Sequence, residues 1–207
     1  MKRNIKVQAT ITKKIKKLST IAQDLRNGKS FNINRLTTIK SLCKDPETAS
    51  HFVLYIAKLT IEKMEEKEPN YLTSSRWIIH KKLVEKAIQA MENYLRSKEP
   101  KENEGLKKIW RGLRDLQSNY EKQRWGPVRI LESRETLLVE KALECMITPE
   151  QSGFWSYHVA RDYTEQYDPS FGTGLLPKSA PMVEDIINFW NQRYEIDTRS
   201  DISTKKP

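Results

Sequence analysis

Apolar side chains recur at spacings of three and four residues along almost all of this chain, a period that fits α-helices and excludes most sheet architectures. Near the N-terminus, Ile11, Ile15, Leu18, Ala22 and Leu25 form one stripe, and Asn27-Gly28 follows as a stop, because glycine readily takes the left-handed conformation that ends a helix. The spacing predicts a helix over residues 4–27, about 36 Å long at 1.5 Å per residue. Asn32 or Asn34 is positioned to cap a short helix bearing Leu36, Ile39, Leu42 and Cys43. Asp45-Pro46-Glu47 is a stronger start: a capping carboxylate, a proline whose missing N–H costs nothing in the first turn, and an acid at the positive end of the dipole. The helix it opens should run through Phe52, Ile56, Leu59 and Met64 to a stop at Pro69.

Thr73-Ser74-Ser75 opens a further helix with two apolar rows, Trp77, Val84, Ile88, Met91 and Leu95 on one side and Leu83, Ala87, Ala90 and Tyr94 on the other. Two rows imply neighbours on two sides, so this helix is expected at the centre. RSKEPKENE, residues 96–104, reads as a charged link, after which Ile109, Leu113, Leu116 and Tyr120 define a helix broken at Gly126-Pro127. Residues 128–147 resume the period, and Thr148-Pro149-Glu150 repeats the cap, proline, acid signature ahead of an aromatic helix through Trp155, Val159 and Tyr163. A loop over residues 168–180 leads to a last helix opened by Pro181. The one strand candidate, KVQATI, is better explained by the helical stripe that contains Ile11. The fold class read from this pattern is all-α, an irregular multi-helix bundle with a basic amphipathic N-terminal helix. A short α-solenoid of helical hairpins is the alternative, since residues 34–67 read as one hairpin, but no pattern repeats at a fixed period. Residues 1–30 are expected as the basic helix, an extension of a helical domain over 31–197, with a polar tail at 198–207.

Five Trp and eight Tyr within a hydrophobic content of 37% exclude a disordered chain. The longest apolar run, Phe52–Ala57, is far short of the roughly 20 residues of a membrane span, and the basic N-terminus lacks the apolar core of a secretory signal. The expectation is a cytoplasmic protein with no transmembrane segment. An organelle transit peptide is the minor alternative, because residues 1–23 are free of acids and contain Thr10, Thr12, Ser19 and Thr20. Cys43 and Cys145 are too few for a disulfide framework or a four-cysteine zinc site and read as buried free thiols.

Charge carries the functional signal. Residues 1–30 hold nine basic side chains against Asp24 alone, a net of +8, out of +10 for the whole chain. Lys6, Lys13, Lys14, Lys16 and Lys17 lie on this helix without an acid to pair with before Asp24. Like charges four apart each cost a few tenths of a kcal/mol, so a compensating partner is expected. One is a polyanion, most simply nucleic acid; another is that Ile11, Ile15, Leu18 and Leu25 dock on the body of the chain, on a second copy or on a protein partner. An anionic membrane surface ranks lower, because no aromatic anchor occurs before Phe31. The bland reading is a solvated basic end that aids solubility. A second group, Lys107, Lys108, Arg111, Arg114, Lys122, Arg124 and Arg129, gives a net of +5 over residues 107–129. Trp110 and Trp125 flank it, and rings beside Arg and Lys are what single strands use for stacking; core tryptophans beside a solvated face are the bland counterpart. Residues 131–207 swing to −5, an asymmetry that also permits head-to-tail self-association.

Signals for catalysis are weak. His51, His80 and His158 fall on three different predicted helices, with no HxxxH or HExxH pair. His158, Asp162 and Glu165 share a helical face with metal-ligand atoms, although an ordinary salt-bridged surface accounts for them as well. GTGLLPKS at 172–179 lacks the spacing of a phosphate loop, and its glycines read as turn residues. The aromatic run through Trp155, Tyr157, Tyr163, Tyr167, Phe171 and Trp190 reads as sealing a core, or else as a peptide-binding cap. The sequence therefore points to a non-enzymatic helical protein that binds a polyanion within a larger assembly. A helical adaptor is the alternative, a metal-dependent enzyme ranks below both, and no cofactor, catalytic residue or metal ligand is assigned.

Overall fold

The computed structural model describes residues 2–67, 75–97, 99–122, 129–165, 174–175 and 177–194, with side chains at 9–32, 34–63, 81–97, 99, 101–115, 136–164, 175 and 177–194. Within them the protein is an all-α multi-helix bundle of eight α-helices: α1 Lys2–Arg26, α2 Thr38–Leu42, α3 Pro46–Lys67, α4 Ser75–Ser97, α5 Pro100–Lys122, α6 Arg129–Ile147, α7 Ser152–Glu165 and α8 Ala180–Tyr194. Among the described residues, no helix is long and apolar enough to cross a membrane. The chain divides by contact into one unit formed by Met1–Thr38 with Tyr167–Pro207 and a second formed by Ile39–Gln166. This division joins the two ends of the chain, whereas the sequence suggested an N-terminal extension in front of a single domain.

In the first unit α1 packs on α8 and on the 3-10 turn Pro177–Ser179 that precedes it. Gly28 ends α1 at φ +83°. Its N–H donates to the Leu25 carbonyl and the Lys29 N–H to the Asp24 carbonyl, both at 3.0 Å, the pair of bonds that satisfies the last carbonyls of a helix closed by a left-handed residue. The Lys29 ammonium also reaches Asp24 at 2.8 Å. Phe31–Asn32 then pairs antiparallel with Gly174–Leu175, an extended pairing of two residues on each side, too short to show as alternation in the sequence. Asn32 caps a 3-10 turn over Ile33–Thr37, its side chain accepting from the Asn34 N–H at 2.9 Å.

In the second unit α6 is the central helix, packed on α3, α4, α5 and α7, while α4 packs on α3, α5 and α6. The expectation that α4 has neighbours on more than one side holds, and Val84, Ala87 and Met91 are buried there, but α6 has more neighbours and is the more central of the two. Leu83, Ile88, Ala90, Tyr94 and Leu95 of α4 are only half-buried, whereas Leu138, Val139, Ala142, Leu143, Cys145 and Met146 of α6 are all buried. A second correction concerns residues 96–104. They are not a link, because α5 begins at Pro100: the proline stands where its missing N–H is not needed, and the Glu99 carbonyl accepts from the N–H groups of Glu102 and Asn103.

Asp45 caps α3 as expected, its Oδ2 accepting from the Thr48 N–H at 2.8 Å. Thr148 in the matching signature does not. Its hydroxyl turns back to the Glu144 carbonyl at 2.7 Å, and Pro149–Gln151 forms a 3-10 turn before α7 begins at Ser152. Both cysteines are buried and free. Burial pushes both thiols up, Cys145 to about 11, so neither is poised as a nucleophile. Pro69, Thr73-Ser74, Gly126-Pro127, residues 168–173 and the tail at 198–207 lie outside the described residues.

Candidate nucleic-acid interface

The N-terminal helix sorts its side chains into two faces. Ile15, Leu18 and Leu25 have no exposed surface and Ile21 and Ala22 almost none, while Ile11 is half-buried at the upper edge of the stripe. The stripe offered by the sequence as a docking surface is thus buried within the chain, in a helix that packs on α8. The apolar side chains of α8, among them Val183, Ile186 and Trp190, are buried as well, and the Arg26 guanidinium forms a two-pronged pair with Glu184 of α8. A protein partner seeking this stripe would have to displace α8.

The opposite face carries the lysines. Lys13, Lys16 and Lys17 are exposed and Lys14 is half-buried on the flank; the Lys6 side chain lies outside the described residues. Lys13 and Lys17 have no carboxylate partner among the described residues. Thr20 and Ser19 direct their hydroxyls to the Lys16 and Ile15 carbonyls, at 3.0 and 3.1 Å.

The second basic group, on α5, is differently arranged. Lys107 pairs with Glu104 at 2.7 Å, and that ammonium holds the Glu104 carboxyl below its usual range. Lys108 and Arg111 are exposed. Arg114 lies over the Trp110 ring with its guanidinium carbon 5.0 Å from the ring centre, and Trp110 is half-buried with its Nε1 enclosed and without an acceptor. The ring proposed as a stacking platform is therefore covered on one face by an arginine of its own helix. Arg124 and Trp125 lie outside the described residues, as does the Arg129 side chain at the start of α6.

The His158, Asp162, Glu165 face is a charge-paired surface. Asp162 bonds to the Lys141 ammonium of α6 and accepts from Arg161 at 3.1 Å; Lys141 and Asp162 are only 13% and 12% exposed. His158 sits among Phe154, Trp155 and Tyr157, the nearest ring centre 4.3 Å away. Burial, together with the Arg161, Lys141 and Lys40 cations, keeps its imidazole below the ordinary pKa against the pull of Asp162. Among the described residues no three His, Cys, Asp or Glu side chains are grouped to hold a metal ion, and the Glu165 side chain lies outside them. Tyr157, Tyr163 and Trp190 are buried in the core, and Tyr167 and Phe171 lie outside the described residues.

Two features escaped the sequence reading. Glu140 on α6 is buried, with one carboxylate oxygen lacking any partner. Phe154 at the start of α7 is the one large apolar side chain exposed among the described residues, beside a cavity lined by Lys40 and Lys44. Only the aromatic run around Phe154 could have hinted at the second, since Lys40 is more than a hundred positions earlier. No protein family, curated protein or solved structure matches the chain.

Proposed function

We propose that the protein binds a polyanion, most simply nucleic acid, through the lysine face of α1. The observation that supports this reading is the orientation of one helix: its apolar stripe is buried in a helix packed on α8, and Lys13, Lys16 and Lys17 are left together in solvent. A run of like charges at spacings of three and four weakens the helix that carries it. Phosphates spaced along a strand relieve that repulsion and release their own counterions, which makes such binding favourable and steeply dependent on salt. The α5 group contributes less to this reading, because Lys107 is paired and Arg114 is engaged with Trp110.

Filter binding to duplex and single-stranded oligonucleotides between about 50 and 300 mM salt tests the proposal. Affinity should fall linearly on logarithmic axes, and Lys→Gln at positions 13, 14, 16 and 17 together should reduce the slope on duplex by about 3 to 4. Absence of binding at the lowest salt, or a slope unmoved by the four substitutions, would refute it.

A further inference from the structure

We propose that the cavity beside Phe154, wholly within the second unit, is a binding site for single-stranded nucleic acid, in which a base stacks on the Phe154 ring and the adjoining phosphate is held by Lys40 and Lys44. The cavity is an open depression of about 510 Å³ lined by Lys40, Lys44, Glu150, Gln151, Ser152, Gly153 and Phe154.

Its walls are held in place by the fold. Gly153 lets α7 approach α2 so closely that a Cβ at this position would stand 2.7 Å from the Lys40 carbonyl oxygen. The Ser152 hydroxyl donates to the Cys43 carbonyl at 3.2 Å, which ties the start of α7 to the end of α2. The backbones at Lys40 and Phe154 therefore keep a fixed spacing before any ligand arrives, and a prepared site loses less entropy on binding. The Lys40 ammonium stands 5.8 Å from the Phe154 ring centre and 4.6 Å from that of Tyr157. Neither Lys40 nor Lys44 has a carboxylate partner among the described residues, and Glu150 is the single acid on the rim, which leaves the lining net positive.

The nature of the occupant follows from the aromatic ring. Phe154 is 45% exposed and stands alone as an exposed large apolar side chain among the described residues. A single exposed ring, packed on His158 and Trp155 on its inner side, suits one flat aromatic ligand, whereas an acyl chain or the apolar face of a helix needs a contiguous patch. Two ammonium groups without a carboxylate partner beside it call for an anion. A base carrying a phosphate has both parts, and stacking on a protein ring tolerates any base because each presents a π-face.

The test uses the whole chain carrying Lys→Gln at 13, 14, 16 and 17, so that the exposed lysine face of α1 is neutralised at those positions, and follows fluorescence anisotropy of a labelled thymidine octanucleotide at low salt. The octanucleotide should bind, and thymidine monophosphate, which carries one base and one phosphate, should compete with it. Phe154→Ala should weaken binding about tenfold, within the range of base–aromatic stacking, while Phe154→Trp retains it. Lys40→Gln with Lys44→Gln should lower the salt slope by about 0.7, the value for one phosphate contact on a single strand. The site is overturned if the octanucleotide does not bind this protein, if Phe154→Ala binds like its parent, or if the monophosphate does not compete. Any of these outcomes leaves the α1 proposal untouched, because the four lysines that its own test replaces are already absent from the protein used.

Discussion

A carboxylate oxygen removed from water without a partner destabilises the fold that encloses it, and Oε2 of Glu140 is in that position. Glu140 is 8% exposed, on the central helix α6, and its Oε2 has no hydrogen-bond partner. Burial, and then the neighbouring carboxylate of Glu144, raise its pKa above the ordinary value, partly offset by Arg114 from α5 and by Lys141. Glu144 is itself raised by burial, again against Arg114 and Lys141. The sign of the linkage follows. The folded state holds the proton more tightly than the unfolded chain, so this contribution to stability is complete below the ordinary carboxylate pKa and is lost as pH rises through the elevated one. Glu140→Gln removes the charge and keeps the shape. It should stabilise the protein at neutral pH by on the order of 1 kcal/mol and flatten the decline of stability above the ordinary carboxylate range. Urea denaturation at a series of pH values from 4 to 8 would show both effects, and a variant less stable at neutral pH would mean that the attraction to Arg114 and Lys141 outweighs desolvation.

The two cap, proline, acid signatures show how far local chemistry reaches. Asp45 and Thr148 precede the same dipeptide, but only Asp45 accepts a bond from the helix that follows it, at 2.8 Å from the Thr48 nitrogen. Thr148 still belongs to α6, since both its N–H and its hydroxyl go to the Glu144 carbonyl. Asp45→Ala should therefore cost about 1 kcal/mol, read as a lower urea midpoint at unchanged slope, and Thr148→Ala should cost clearly less. Features of this local kind were legible in the sequence. The stop at Gly28 and the start at Pro46 follow from single residues with few conformational choices, and the lysine face of α1 needs only the helical period. Pro100 was misread because its charged neighbours resemble a link, although a proline at the first helical position is equally compatible with a start. Pairings between distant helices leave no such local trace. Nothing near Lys40 announces Phe154, and nothing in α1 announces α8.

That last pairing determines how the ends of the chain depend on each other. α1 spans 25 residues, carries Lys13 and Lys17 four apart and has no acid before Asp24, so its intrinsic stability in water is low. Its helical state rests on burial of Ile15, Leu18 and Leu25, and the helix it packs on is α8, 15 residues long and more than 150 positions away. Ending the chain at residue 179 removes that support. The apolar stripe would then lie in water, forfeiting roughly 1.5 to 3 kcal/mol for each large side chain uncovered, and the lysine repulsion would no longer be offset. The expected result is that helicity measured by circular dichroism at 222 nm falls by the 25 residues of α1 in addition to the 15 of α8. A fall equivalent to α8 alone would show that α1 is held by something else. In the truncated chain, high salt should restore part of the lost signal by screening the lysines, and an oligonucleotide should restore more at low salt, because ordering α1 realigns the same ammonium groups that the α1 proposal assigns to phosphate.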